Sequence, residues 1–190
     1  MSKIVIDVVL LPSVEIMDKA IEINNQLTDD PIKLNKESCF PHISLCMGVV
    51  QEENLSKIKE IINEIGENSS ELSLTINKIG GKNVCFDIKN NEGLQRLHET
   101  IMTKLLPFLS YDAKTDLCLF PPPFAEKTLF WINNYKEKSS FENFHPHITL
   151  GISKLKSEEL NINFTTSKLA ICHLGNYCTC RKILHSVNLV

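Results

Sequence analysis

Residues 41–50 read Pro-His-Ile-Ser-Leu-Cys-Met-Gly-Val-Val, and residues 146–152 read Pro-His-Ile-Thr-Leu-Gly-Ile. The two histidines lie 105 positions apart (147 − 42). Matching pentapeptides differing only by a Ser/Thr exchange indicate a duplicated unit. Side chains alternate between the faces of a strand. His42, Ser44, Cys46 and Gly48 therefore share one face and Ile43, Leu45, Met47 and Val49 the other. His147, Thr149 and Gly151 likewise oppose Ile148, Leu150 and Ile152. Each strand has an apolar underside to bury and a top carrying one imidazole and one hydroxyl.

That set suits chemistry at phosphorus. Cleaving a phosphodiester requires a base for the entering oxygen, an acid for the leaving oxygen, and donors for the non-bridging oxygens. Histidine titrates near neutrality, so of two imidazoles one can be neutral and the other protonated. Serine and threonine hydroxyls two residues along can donate to the phosphate. The expected site is His42, Ser44, His147 and Thr149, working without a metal or cofactor. Zinc on Cys172, His173, Cys178, Cys180 and His185 is the weaker alternative, since Cys178-x-Cys180 is not a C-x₂-C knuckle.

Around the motifs the chain reads as α+β, with largely antiparallel sheet. Residues 4–11 are a strand apolar on both faces, broken in composition by Asp7. Ser13 is an N-cap for a helix to about Leu27, with Ile16, Ala20, Ile23 and Leu27 on one side. A second helix carries Leu55, Ile58, Ile61, Ile62 and Ile65, and a third carries Leu94, Leu97, Ile101 and Leu105 and ends at Pro107. Alternation at Leu72–Ile76 and Val84–Ile88 around Gly80-Gly81 predicts a hairpin. Pro121-Pro122-Pro123 predicts a loop, residues 128–138 a short helix, and the tail from Lys168 a hairpin turning near Gly175-Asn176.

The paired H-x-[ST] motifs, each in an apolar strand with proline before and leucine after, resemble those of the 2H phosphoesterase superfamily, which includes LigT-like 2′-5′ RNA ligases and cyclic phosphodiesterases. The resemblance covers the whole chain. It implies two pseudo-symmetric lobes of antiparallel sheet with outer helices around a central cleft, forming a single domain over residues 1–190. It also implies His42 and His147 as acid and base, with Ser44 and Thr149 positioning phosphate.

Other residues have plainer readings. His98 sits on the apolar side of its helix and is expected to pack there; His145 is expected in a loop or supporting role. Arg181 is a possible phosphate contact, though a surface ion pair is the simpler reading. Phe124, Trp131 and Tyr135 offer faces on which a base could stack; Trp131 and Tyr135, one helical turn apart, also read as core contacts.

With 190 residues, 43% apolar and net charge −3, the chain lacks the basic excess of proteins that grip long nucleic acid by its backbone. A nucleotide or RNA end is the expected partner rather than a long duplex, and the expected working form is a monomer. No signal peptide or spanning stretch is evident, so no membrane partner is expected. Seven cysteines without a framework predict free thiols and a cytoplasmic address.

Overall fold

The computed structural model describes residues 2–81, 83–119 and 124–190, so the proline run at 121–123 lies outside the described residues. Among the described residues eight strands form one sheet: β1 (Lys3–Leu11), β2 (Ile43–Gln51), β3 (Leu72–Gly81), β4 (Val84–Ile88), β5 (His147–Gly151), β6 (Leu155–Thr166), β7 (Lys168–Leu174) and β8 (Cys180–Asn188). Their order is β6-β3-β4-β5-β2-β1-β7-β8, every neighbouring pair antiparallel. The helices are α1 (Val14–Gln26), α2 (Leu55–Glu67), α3 (Glu92–Leu105), α4 (Glu126–Asn133) and α5 (Tyr135–Lys138).

The sheet divides into two four-stranded halves that meet at β5 and β2. They touch through one register pair, Ile43 opposite Ile148. These are the residues that follow the two histidines, so the two motifs face each other head to head across a local two-fold axis.

Beyond that pair the motif strands part, and their inner carbonyls need other donors. The helices supply them crosswise. Asn24 of α1 donates from Nδ2 to Leu150 O on β5 at 2.7 Å, and His98 of α3 bonds through Nδ1 to Leu45 O on β2, also at 2.7 Å. Leu45 and Leu150 hold the same position in the two pentapeptides. Each helix thus follows a strand of its own half and fastens the motif strand of the other.

Asn24 is fully buried in a helix face otherwise made by Ile16 and Ala20. Besides Leu150 O it donates to Ile32 O and accepts from Leu34 N–H, which fixes the segment after α1. His98 is buried as its sequence position implies. Its Nε2 accepts the Phe141 N–H at 2.8 Å, and its ring stacks on Phe144 with centroids 3.9 Å apart. The Nδ1–H tautomer is therefore set from both sides, and burial holds the imidazole below its usual range.

Local signals account for most elements. Ser13 Oγ accepts the Ile16 N–H at the start of α1. Gly80 sits at φ 102°, and a Cβ there would approach Lys156 O to 2.7 Å. This glycine is required both by the hairpin of β3 and β4 and by the neighbouring β6.

Besides a register shift of β2 against β1 at Leu45, which turns Met47 rather than Cys46 to the side of His42 and Ser44, two features differ from the sequence reading. β6 is a twelve-residue strand paired along β3 from Leu72–Thr166 to Gly81–Leu155, and the sequence reading assigns no strand there. It is an edge strand, mostly exposed, with Lys156, Glu158 and Glu159 along it; such charges keep an edge from pairing with another chain and also erase apolar alternation. Second, Cys172 and Cys180 are joined by a disulfide, Cα atoms 5.5 Å apart, correcting the expectation that every cysteine is a free thiol. The bridge lies between β7 and β8 in a small apolar cluster with Val9, Leu11 and Ala170. Cys39, Cys46, Cys85, Cys118 and Cys178 are free thiols.

Candidate active site

Both motif histidines are oriented by the same local device. His42 Nδ1 lies 2.7 Å from Phe40 O, and His147 Nδ1 lies 2.9 Å from His145 O. In each case the carbonyl belongs to the residue two positions back, with a proline between. Proline holds the preceding residue extended and has no N–H of its own. A carbonyl only accepts, so Nδ1 carries the hydrogen and Nε2 keeps its lone pair for the cleft.

The surroundings are not equal. The His42 side chain is 12% exposed, whereas His147 is open to the cleft. Burial pushes the His42 imidazole down to about 4, opposed by the Phe40 carbonyl and assisted by the nearness of His147. Burial among the cleft walls also lowers His147; the His145 carbonyl and Asp87 oppose that shift, and the charge of His145 adds to it. Repulsion between the two rings favours at most one proton on the pair.

The hydroxyls differ too. Ser44 Oγ is hydrogen-bonded to Asp7 Oδ2 at 2.6 Å, and the same carboxyl oxygen stands 3.9 Å from His42 Nε2. Asp7 lies on β1, fully buried beneath Ser44. Burial drives its carboxyl up to about 8, against the pull of Ser44 and the backbone around Cys46 and Leu45. Thr149, the counterpart of Ser44, has no protein partner for its hydroxyl among the described residues. Asp87 is opposite His147 in register and reaches His145 Nε2 at 3.2 Å.

The two histidines, Ser44 and Thr149 line one cleft of about 470 Å³. Among the described residues lining it are Lys127, Lys138 and His145, and no aspartate or glutamate. In a chain of net charge −3, the cleft is a local concentration of donors and cations.

The model of the 2′-5′ RNA ligase superfamily matches residues 26–169, which include both motifs. The chain belongs to that superfamily. Solved structures agree in fold. TT0787 of Thermus thermophilus superposes with TM-score 0.64 at 11% identity, covering 98% of each chain. Escherichia coli LigT complexed with NADP+ superposes with TM-score 0.59 at 14% identity over 99% of each chain. LigT complexed with 3′-AMP gives 0.57 at 14% identity over 100% of this chain and 99% of that one. These are LigT-like members of the 2H phosphoesterase group, and the α+β sheet with outer helices is theirs. No curated protein matches the sequence.

In this 2′-5′ RNA ligase superfamily member, the remaining sequence candidates fall on different sides of the cleft boundary. Trp131 and Tyr135 line it, Trp131 being 45% exposed and Tyr135 buried at its base. Phe124 packs against the main core, and Arg181 donates from Nη1 to Ser38 O; neither lines the cleft. His173 Nε2 bonds to Leu117 O and His185 Nε2 to Asn63 Oδ1, while Cys172 and Cys180 bond each other. The five residues of the zinc alternative therefore do not converge, and among the described residues no group of three or more His, Cys, Asp or Glu is arranged to hold a metal. Cys178 leaves the face of Cys180 because Tyr177 and Cys178 both take left-handed φ, near 57° and 54°, which breaks the alternation and turns residues 177–179 to the cleft. Reading the sequence alone misses Asp7 as a site residue. Its one signal is a carboxylate in the middle of Ile4–Leu11, a strand otherwise apolar on both faces.

Proposed function

We propose that this protein is a metal-independent phosphodiesterase acting on 2′,3′-cyclic phosphate or 2′-5′-linked nucleotide and RNA-end substrates. The observation that carries the reading is the pair of imidazoles, each with Nδ1 tied to a carbonyl two residues back and Nε2 left for substrate. Two such groups on either side of a phosphorus supply a base and an acid. His42, depressed to about 4, is neutral at pH 7 and takes the proton of the entering oxygen. His147, open to the cleft, takes up a proton as the anionic substrate arrives and gives it to the leaving ribose oxygen. Ser44 and Thr149 hold the non-bridging oxygens. A water entering opens a cyclic phosphate; a neighbouring ribose hydroxyl entering cleaves a linear ester and leaves a cyclic product.

The cations and absence of acidic residues among the described lining favour an anionic ligand. The nucleotides bound by LigT in its solved structures, NADP+, 3′-AMP and ATP, support nucleotides as the class. Trp131 offers a stacking face for a base. End-joining, from which the superfamily takes its name, is the same chemistry run backwards and is the second reading. Among the described residues no helix is long and apolar enough to cross a membrane.

The test is a panel of 2′,3′-cyclic mononucleotides, 2′-5′ oligoadenylates and cyclic-phosphate RNA ends, with and without chelator. H42A and H147A should each lower turnover by about 10²–10⁴-fold, and chelator should leave the wild type unchanged. Full turnover by both variants sinks the two-histidine scheme. Tight nucleotide binding without any product, unaffected by either variant, would make the protein a binding module instead.

A further inference from the structure

The Ser44 hydroxyl has two claimants. It has a single hydrogen. Asp7 Oδ2 lies 2.6 Å behind it, and the cleft where a phosphate would sit lies in front. If Asp7 were a carboxylate, that hydrogen would point back to it, leaving Ser44 lone pairs to face the phosphate oxygens. The hydroxyl would then repel the group it is meant to hold.

The packing around Asp7 resolves the conflict. Besides the backbone of Leu45 and Cys46, the groups facing it are Ser44, His42 and the Cys46 thiol on β2, Tyr135 on α5, and the Cys178 thiol on the turn before β8. On β7 its register partner is Cys172, which is held in the disulfide. Among the described residues no lysine or arginine bears on it, and its side chain has no exposure to solvent. A carboxylate with neither water nor a cation is strongly disfavoured. Among the described residues His42 is the one basic group within reach, and its Nε2 is 3.9 Å away, beyond a direct hydrogen bond.

We propose that Asp7 is a positioning residue that works as a neutral acid. Its carboxyl O–H donates to Ser44 Oγ and so turns the Ser44 hydrogen outward, onto the non-bridging phosphate oxygen. Thr149 needs no such partner, because among the described residues nothing competes for its hydrogen. The two halves of the site therefore reach the same outward donor by different means. This role rests on the phosphoesterase reading for its purpose, but not for its protonation state.

The test compares wild type with Asp7→Asn, Asp7→Ala and Ser44→Ala. In the infrared difference spectrum of wild type minus D7N at pH 7, the C=O stretch of a protonated carboxyl should be present, and it should disappear as pH is raised past about 8. Inorganic phosphate is the binding probe. D7N, whose amide N–H can still donate to Ser44 Oγ, should bind phosphate about as tightly as wild type at pH 7, and D7A, which leaves the Ser44 hydrogen without a competitor as at Thr149, should stay within about threefold of it. Above pH 8 wild-type phosphate affinity should fall more steeply than that of D7N, and S44A should be indifferent to the Asp7→Asn change. Absence of the protonated band at pH 7, or a wild-type phosphate affinity that follows that of D7N unchanged through pH 8, overturns the proposal. Thermal melts of each variant separate loss of fold from loss of the contact. If the band and the phosphate pattern appear while no substrate of the panel is turned over, the phosphoesterase reading fails and this one stands.

Discussion

Asp7 and His42 are opposite cases of one effect. Burial raises the acid to about 8 and lowers the base to about 4, so both are neutral at pH 7. The consequences for stability have opposite sign. An aspartate that titrates near 3.8 when unfolded and near 8 when folded contributes less as pH rises through that interval, because the folded chain keeps a proton the unfolded chain has lost. At pH 7 the cost is on the order of 4 kcal/mol. D7N should therefore raise the melting temperature at pH 7–8 and have little effect near pH 4, as measured by thermal unfolding across pH. His42 contributes stability above 6.5 that is lost as pH falls toward about 4. On the proposed reading, a base lowered to about 4 and an acid also lowered from 6.5 place the bell of kcat/KM on the acid side of 6.5. A kcat/KM profile with both limbs above 7 would contradict the assignment of these two groups.

At the scale of elements, the crossing helices determine how accurately the histidines meet. Asn24 serves three backbone groups, Ile32 O, Leu34 N–H and Leu150 O, from inside the core. N24A would strand all three and should cost about 2–4 kcal/mol in urea unfolding; an exposed control such as Asn25→Ala should be near neutral. Because Leu150 lies three residues after His147, the residual activity of N24A measured below its melting point should also fall.

The same elements mark what the sequence can reveal. The motif strands, the Ser13 cap and the Gly80-Gly81 hairpin are readable because each depends on neighbours within a few residues. β6 is not, because its pairing with β3 is long-range and its edge position allows charges that erase the alternation. Asn24 reads as an ordinary polar residue in a helix until its partner at Leu150, 126 positions away, is known. The four central site residues carry a local signature. Asp7 and the Cys172–Cys180 bridge depend on which strands come to lie side by side.

For the molecule as a whole, that bridge closes the hairpin whose turn lines the cleft. Phe40, whose carbonyl orients His42, donates its N–H to Cys180 O at 3.0 Å. Replacing both cysteines by serine should cost about 2 kcal/mol on loop-closure grounds for a separation of eight residues. Non-reducing thiol titration of the unfolded protein should count five thiols; a count of seven would mean that the bridge does not form.

The single register pair Ile43–Ile148 also bears on time's direction in the reaction. An in-line displacement at phosphorus has an entering and a leaving oxygen on opposite sides, related by an approximate two-fold rotation. No catalyst carries an arrow of its own, and one built about a matching axis also presents nearly the same face to the reactant and to the product. On the proposed reading, the histidine that receives a proton in cleavage returns it in joining. Which way a given population of ends runs is set by water, concentration and strain in the cyclic ester, and the protein's own asymmetry, an enclosed His42 beside an open His147 and an Asp7 behind Ser44, bears on rate and not on direction.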